Sequence, residues 1–201
     1  MTILERISRR SPEEAPPDAA LIERSRTEPE VFAALFDRHA DRVHNYLARR
    51  AGPTEADDLL SATFLAAFEQ RARFDPERSP AGALPWLLGI ATNLLRGHRR
   101  AEARRWDALA RARLEPPEPS HADRVAAQVD ATVAARPLVD VLSGLPEGDR
   151  DAMLLLAWAD LSYEQIAAAL EIPVGTVRSR IHRVRNLLRA TVPPQPTTET
   201  E

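Results

Sequence analysis

Residues 163–188 read YEQIAAALEIPVGTVRSRIHRVRNLL, and this stretch decides the fold of the C-terminal part of the chain. Its apolar residues recur at three- and four-residue spacing on both sides of Glu171-Ile172-Pro173, which predicts a helix, a tight turn and a second helix. Ser162 and Gln165 stand three positions apart at the start of the first helix, the spacing of a capping box. The stretch therefore predicts a helix-turn-helix.

The second helix of this motif has one apolar face and one basic face. In a helix-turn-helix the second helix enters the major groove, so its inner face must be apolar and its outer face must donate hydrogen bonds. Residues 174–190 contain five arginines and no acidic residue. The inner face is formed by Val177, Ile181 and Val184, and the candidate DNA contacts on the outer face are Thr176, Arg178, Ser179, His182, Arg183 and Arg185. The simpler alternative is a helical hairpin with a solvated arginine-rich face.

The rest of the chain is also helical in pattern. Apolar residues follow helical spacing from Phe32 onward, no strand-like alternation occurs, and LEPPEPS at 114–120 is too rich in proline for a regular helix. Thr27 and Glu30 predict a capping box before the first of these helices. We therefore expect an all-α protein of two small helical domains joined by a flexible linker. The expected boundaries are 1–26 for an N-terminal extension, 27–110 for the first domain, 111–136 for the linker, 137–190 for the second domain and 191–201 for a disordered tail.

Composition excludes several classes of protein. The chain has 201 residues and no cysteine, which excludes a disulfide scaffold, a thiolate zinc site and a cysteine nucleophile. It has neither a long apolar run nor a secretory signal, so we expect a cytoplasmic protein without membrane insertion. The net charge of −3 argues against nucleic acid, but all 27 basic residues are arginine and they cluster. Residues 86–113 hold seven arginines and two acids, a second basic stripe typical of a polyanion-binding protein.

Enzymatic and metal-binding motifs are absent from the sequence. His39 and His44 lie near Asp37 and Asp41, but the spacing is loose and no cysteine supports a metal site, so exposed polar residues are the better interpretation. There is no Gly-rich phosphate loop, no Gly-x-Ser-x-Gly and no HExxH motif. We expect neither catalysis nor a cofactor.

Four stretches resemble one protein family. LSYEQIAAALEIPVGTVRSRIHRVRNLLR (161–189) resembles region 4 of bacterial RNA polymerase sigma factors of the sigma-70 family, in the extracytoplasmic-function (ECF) group. FAALFDRHADRVHNYLARR (32–50), ADDLLSATFLAAFEQRARFDP (56–76) and LPWLLGIATNLLRGHRR (84–100) resemble region 2 of the same group, in order and spacing. The resemblance implies a protein that binds core RNA polymerase and directs promoter-specific initiation by recognising the −35 and −10 elements.

The resemblance also implies roles for particular residues. The outer face of the second motif helix would contact the −35 element, and the 75–84 loop would capture a flipped −10 base. The contacts expected at the −10 element are Trp86, Asn93, Arg96, His98, Arg99 and Arg100. The contacts expected with core polymerase are Asp57, Asp58, Leu59 and Phe64. Core packing is the alternative, and the favoured one, for Trp86 and for Phe74 beside the loop. An anti-sigma factor is a further expected partner.

Two positions depart from the family pattern. Ser61-Ala62 stands where Gln-Glu is common, which weakens the polar part of the polymerase contact. Glu171 stands at a helix end that favours Gly or Asn, so we expect a different cap there. Two other functions stay open on the residues alone: a helix-turn-helix regulator that acts without polymerase, and a helical protein-interaction adaptor.

Overall fold

The computed structural model describes residues 16–112 and 141–191, which form helices and turns and contain no β-strand. The all-α prediction is confirmed for these residues. The α-helices with both ends described are α1 (Asp18–Arg24), α2 (Ala33–Ala51), α3 (Pro53–Gln70), α4 (Leu84–Ala112), α5 (Glu147–Ala159), α6 (Tyr163–Leu170) and α7 (Val174–Thr191). Short 3₁₀ helices cover Pro29–Phe32 and Arg71–Arg73. The predicted linker (111–136) and tail (191–201) lie outside the described residues, except that residues 111 and 112 belong to α4 and Thr191 ends α7.

The N-terminal segment is part of the packed structure. Residues 18–24, expected to belong to an extension, form α1 and bury Leu21 and Ile22 in the core. The capping box predicted at Thr27 is wrong, because the Thr27 hydroxyl donates to the Arg24 carbonyl at the end of α1. The chain instead continues into the 3₁₀ helix that begins at Pro29.

The boundaries of the helix-turn-helix follow from local chemistry. The capping box at Ser162 is confirmed: its hydroxyl accepts from the Gln165 N–H, and the Gln165 side chain accepts from the Ser162 N–H. The expectation of a different cap at Glu171 is wrong. Glu171 itself adopts the left-handed conformation, with φ of +53°, and Ile172 N–H donates to the Ala167 carbonyl. A hydrogen bond of this pattern closes a helix end that glycine usually closes.

One apolar core joins all the helices. α2, α3 and α4 pack on one another, α7 packs across α5 and α6, and α4 also packs on α6. Gly89 of α4 lies so close to the Ala169 carbonyl of α6 that a Cβ there would overlap it. Buried residues from both described ranges, from Leu21 to Ile181, form a single hydrophobic cluster.

A buried ion pair lies where the two parts meet. Arg50 at the end of α2 is 1% exposed and Asp151 in α5 is fully buried, and Arg50 Nη2 lies 2.6 Å from Asp151 Oδ1. Arg96 of α4 donates to the other oxygen of Asp151 from Nε (2.6 Å), with its Nη2 2.5 Å away. Arg50 Nη1 also donates to the Tyr46 hydroxyl at 2.6 Å. Asp151 is therefore held between two guanidinium groups from two helices.

Asp18 is a second buried carboxylate, at the start of α1. Its oxygens lie 2.8 Å from His39 Nε2, 2.5 Å from Arg38 Nη1 and 2.7 Å from the Ala83 N–H. Burial opposes ionisation of Asp18, but the hydrogen bonds from His39 and Ala83 outweigh it and lower its pKa from 3.8 to about 2. The carboxylate thus fastens α1 to α2 and to the start of α4.

We predict that Arg50→Met lowers the free energy of unfolding by about 3–5 kcal/mol, since it leaves the buried carboxylate of Asp151 without its fully buried partner. Urea unfolding followed by helical circular dichroism measures the loss. Glu28→Gln is the control, because the exposed pair of Glu28 with Arg24 contributes only about 0.2–1 kcal/mol. An equally small loss in both variants would contradict the prediction.

We predict an acid-dependent loss of stability that belongs to Asp18. A carboxyl whose pKa is lower in the folded state stabilises the fold above its unfolded pKa and loses this contribution as the pH falls through the folded value. From pH 5 to pH 2 the wild-type chain should therefore lose about 2 kcal/mol more than Asp18→Asn. Urea midpoints at stepped pH test this, and parallel pH profiles of the two proteins would refute it.

Candidate nucleic-acid interface

The outer face of α7 is an exposed basic surface. Val177, Ile181 and Val184 are buried against α5 and α6, as predicted for the inner face. On the outer side lies a shallow concavity of about 460 Å³. Its lining is Tyr163, Arg178, Ser179, His182, Arg185 and Arg189. The structure therefore brings together four of the six residues predicted to face the −35 element, Thr176 and Arg183 lying outside the lining.

Several side chains on this face are already held in place. Arg185 Nη1 donates to the Tyr163 hydroxyl at 3.2 Å, and Ser179 Oγ donates to the Gly175 carbonyl one turn earlier. Arg183 Nη1 lies 2.6 Å from Oδ2 of Asp149, which is buried in the first turn of α5. The arginine is thus oriented by α5 while more than half of its side chain stays exposed.

A second basic surface lies on α4, and part of it faces α5. Arg96 contacts Asp151, as described, and its Nε lies 3.9 Å from Glu147. Arg99 Nη2 donates to the Arg50 carbonyl at 2.7 Å. Burial, together with the nearby charges of Arg50 and Arg150, lowers the pKa of Arg99 to about 10. Both arginines are therefore partly enclosed between the two parts of the chain.

The remaining residues predicted at the −10 element are more open. Asn93 is exposed one turn before Arg96, and Arg100 is exposed with Glu147 at 4.0 Å. His98 Nδ1 lies 3.7 Å from Glu102 along the same helix. The side chains of α4 thus form a continuous polar strip that begins at Asn93.

The aromatic residues beside the 75–84 loop pack on each other. Phe74 is buried, and its ring centroid lies 5.2 Å from that of Trp86 in an edge-to-face contact. Trp86 remains partly accessible at the start of α4. The favoured expectation of core packing therefore fits Phe74, while Trp86 packs on Phe74 and also stays partly accessible.

The predicted polymerase contacts on α3 divide into two groups. Asp57 and Asp58 are exposed, but Leu59 and Phe64 are each 7% exposed and pack in the core. The expectation that Leu59 and Phe64 form part of a contact surface is corrected, because their helical register turns them inward. Sequence reasoning missed Leu65, 60% exposed on the outer side of the same helix. Phe36 of α2, a second exposed apolar residue, packs edge-to-face on Phe64.

The two histidines considered for a metal site have separate partners. His39 is buried against Asp18, so the expectation of an exposed residue there is wrong, while half-buried His44 has its Nε2 3.1 Å from Asp57. Within residues 16–112 and 141–191, no group of three or more metal-ligating side chains occurs. None of the helices in these ranges is long and apolar enough to cross a membrane.

Sequence reasoning also missed the roles of Asp18, Asp149 and Asp151. Each is a carboxylate within the first turns of a helix, a common position that says nothing about distant arginine partners. The sequence carries only a weak signal of burial, because Asp151 directly precedes the apolar run at 152–158.

Comparison with known proteins identifies the family of the chain. Residues 35–105 match the family model for sigma-70 region 2, and residues 135–188 match that for sigma-70 region 4. The RNA polymerase sigma factor CarQ of Myxococcus xanthus is 37% identical over 174 residues, which cover 80% of this chain and 88% of CarQ.

Two solved structures share the fold. CnrH, in complex with the cytosolic domain of CnrY, superposes with a TM-score of 0.58 at 26% identity, over 86% of this chain and 95% of CnrH. The sigma factor RpoE, in complex with the anti-sigma factor NepR from Bartonella quintana, gives a TM-score of 0.56 at 21% identity, over 80% of this chain and 95% of RpoE. The chain belongs to the sigma-70 family, as an ECF-type sigma factor that binds core RNA polymerase and directs promoter-specific transcription initiation.

Proposed function

We propose that the two helical units divide promoter recognition between them. The first unit, expected at 27–110 and extended by α1, contacts core polymerase and the −10 element, and the second unit, at 137–190, contacts the −35 element. One observation carries the proposal: α7 buries an apolar face within a helix-turn-helix and turns an acid-free, arginine-rich face outward. Such a face suits the phosphates and base edges of a major groove.

At the −35 element, the contacts we assign are Thr176, Arg178, Ser179, His182, Arg183 and Arg185. Arg178 is exposed near the start of α7, where a recognition helix meets base edges. Arg183 is oriented by Asp149, which suits a contact of fixed geometry. Arginine pairs bidentately with guanine, so these two are the base-reading candidates.

At the −10 element, the contacts we assign are Asn93, Arg96, His98, Arg99 and Arg100, with the partly accessible Trp86 beside the 75–84 loop. Stacking on an aromatic ring is the usual way to hold an unpaired base. On the polymerase side, the exposed Asp57 and Asp58 lie on α3, which also carries Leu65. These three, with Phe36, form the surface we assign to core polymerase.

The chain acts without catalysis of its own, in the cytoplasm, and an anti-sigma factor is its regulatory partner. The complex of RpoE with its anti-sigma factor supports a similar partner for this chain.

Simultaneous recognition of both elements requires the two units to separate. Positions −35 and −10 lie about 25 base pairs apart, which is about 85 Å of duplex. A packed body of roughly 150 residues is only about 40 Å across. The contact of Arg96 with Asp151 must therefore break before α4 and α7 can occupy their elements together.

Run-off transcription tests the proposed function. The full chain is added to sigma-free core polymerase on a pool of genomic promoter fragments. Discrete new transcripts whose upstream sequences share two elements support the proposal. Tight duplex binding by the chain alone, without transcripts, would indicate a regulator that acts without polymerase. The absence of DNA binding, of transcripts and of core polymerase binding would indicate an adaptor.

We predict that Arg178→Ala or Arg183→Ala weakens −35 recognition by about 1–3 kcal/mol, because either change removes a bidentate base contact. Transcription by the holoenzyme is compared on promoters with single −35 substitutions. Arg24→Ala is the control, since Arg24 is an exposed arginine outside both assigned surfaces. Unchanged −35 selectivity in both variants would refute the base-reading assignment.

We predict that energy transfer between dyes on the two units falls when promoter complexes form. The chain has no cysteine, so Glu30→Cys and Ala190→Cys create two unique labelling sites at exposed positions. Transfer should be high in the free chain and low with core polymerase and promoter. Equal transfer in both states would show that the units stay packed.

A further inference from the structure

Helix α1 holds both ends of the 75–84 loop. At the far end, Asp18 Oδ2 accepts the Ala83 N–H at 2.7 Å, one residue before α4 begins. At the near end, Arg71 Nε donates to the Ser25 carbonyl at 3.2 Å, and Arg26 Nη2 donates to the Ala72 carbonyl at 3.3 Å. The segment predicted as an N-terminal extension thus contacts the chain at both ends of the loop.

The far end of the loop is shaped around the Asp18 carboxylate. Gly82 has φ of +95°, and a Cβ at this position would lie 2.7 Å from Asp18 Oδ2. His39 and Arg38 approach the carboxylate from α2, so it is held in place from more than one side. Moving the Ala83 end of the loop would therefore leave a buried charge with one partner fewer, which is costly.

The near end is attached to the same helix by a separate set of bonds. Ser25 is buried at the end of α1, and its hydroxyl donates to the Ile22 carbonyl at 2.6 Å. The Ser25 backbone carbonyl accepts the hydrogen bond from Arg71 Nε. The Arg71 guanidinium also lies 3.9 Å from the Phe68 ring centroid. The loop is thus closed between two fixed points, while its residues 75–78, 80 and 81 remain exposed.

We propose that α1 positions the 75–84 loop for capture of the unpaired −10 base, with Asp18 as the positioning residue. The inference rests on the proposed role of this loop at the −10 element. Fixing both ends before binding removes conformations that the loop would otherwise lose on capture. Asp18 touches no DNA in this role and acts through the backbone of Ala83.

The test uses Asp18→Asn in the full chain with core polymerase, on the strongest promoter from the run-off selection and its −10 and −35 variants. The change keeps the size of the side chain and removes the charge that holds the loop end. We expect discrimination among −10 variants to fall about tenfold, since small misplacements of a binding group have effects of this size or larger. Discrimination among −35 variants should stay at the wild-type value.

A second readout follows the base itself. 2-Aminopurine placed at the −10 position of the non-template strand brightens when it leaves the stack. Its fluorescence rise on holoenzyme binding should be reduced in Asp18→Asn. Glu28→Gln is the matched control, because it neutralises an exposed carboxylate in the same N-terminal segment without touching the loop.

Arg26→Ala keeps the inference testable if Asp18→Asn folds poorly. Arg26 is partly exposed, so its loss spares the core, but it removes the hydrogen bond to Ala72 at the other end of the loop. We expect a loss of −10 discrimination in the same direction and smaller. Wild-type −10 discrimination in folded Arg26→Ala and Asp18→Asn proteins would overturn the inference.

Equal losses at both elements would also overturn it, because they would show that α1 stabilises the whole chain instead of the loop. A wild-type holoenzyme that gives no promoter-specific transcripts overturns the proposed function itself, and this result is separate from any difference between variants.

Discussion

The ion pair between Arg50 and Asp151 is the constraint on which the arrangement of the chain depends. Neither charge has access to water, so each needs the other in place. Burying two charges gains little stability over apolar packing, but separating them inside the protein is costly. Such a pair therefore fixes the relative position of its two helices more than it stabilises the fold. Here it fixes the end of α2 against α5, and α4 and α6 come into contact beside it.

The first two turns of α5 serve both assigned promoter surfaces. Asp149 faces α7 and orients Arg183, while Asp151, two residues later, faces α4 and holds Arg96. Glu147 approaches Arg96 and Arg100 from the same turn. Two surfaces that are far apart in sequence thus share one short acidic segment, so a change in this segment affects both.

Sequence reasoning succeeded where the determinants are local. The helical spacing predicts the buried face formed by Val177, Ile181 and Val184, and the capping box predicts the start of α6 at Ser162. Both features are set within one or two helical turns, and both predictions are confirmed. It failed where the partner is distant: Asp151 lies about a hundred residues from Arg50, and no spacing rule joins them. It also failed at Phe64, whose apolar character fits equally a core position and a contact surface, since only the packing of α2 on α3 decides between them.

The junction contains arginine and no lysine, as does the whole chain. A guanidinium group keeps its proton at any physiological pH, and even the lowered pKa of Arg99, about 10, leaves it charged. The arginines between the two units therefore stay charged and cannot avoid the cost of an unpaired charge by losing a proton. If the two units separate as proposed, Arg96 must meet another anion or water, and promoter phosphate is an anion of suitable charge. The proposed binding of the promoter by α4 would then be an exchange of anions, carboxylate for phosphate, on a permanently charged surface.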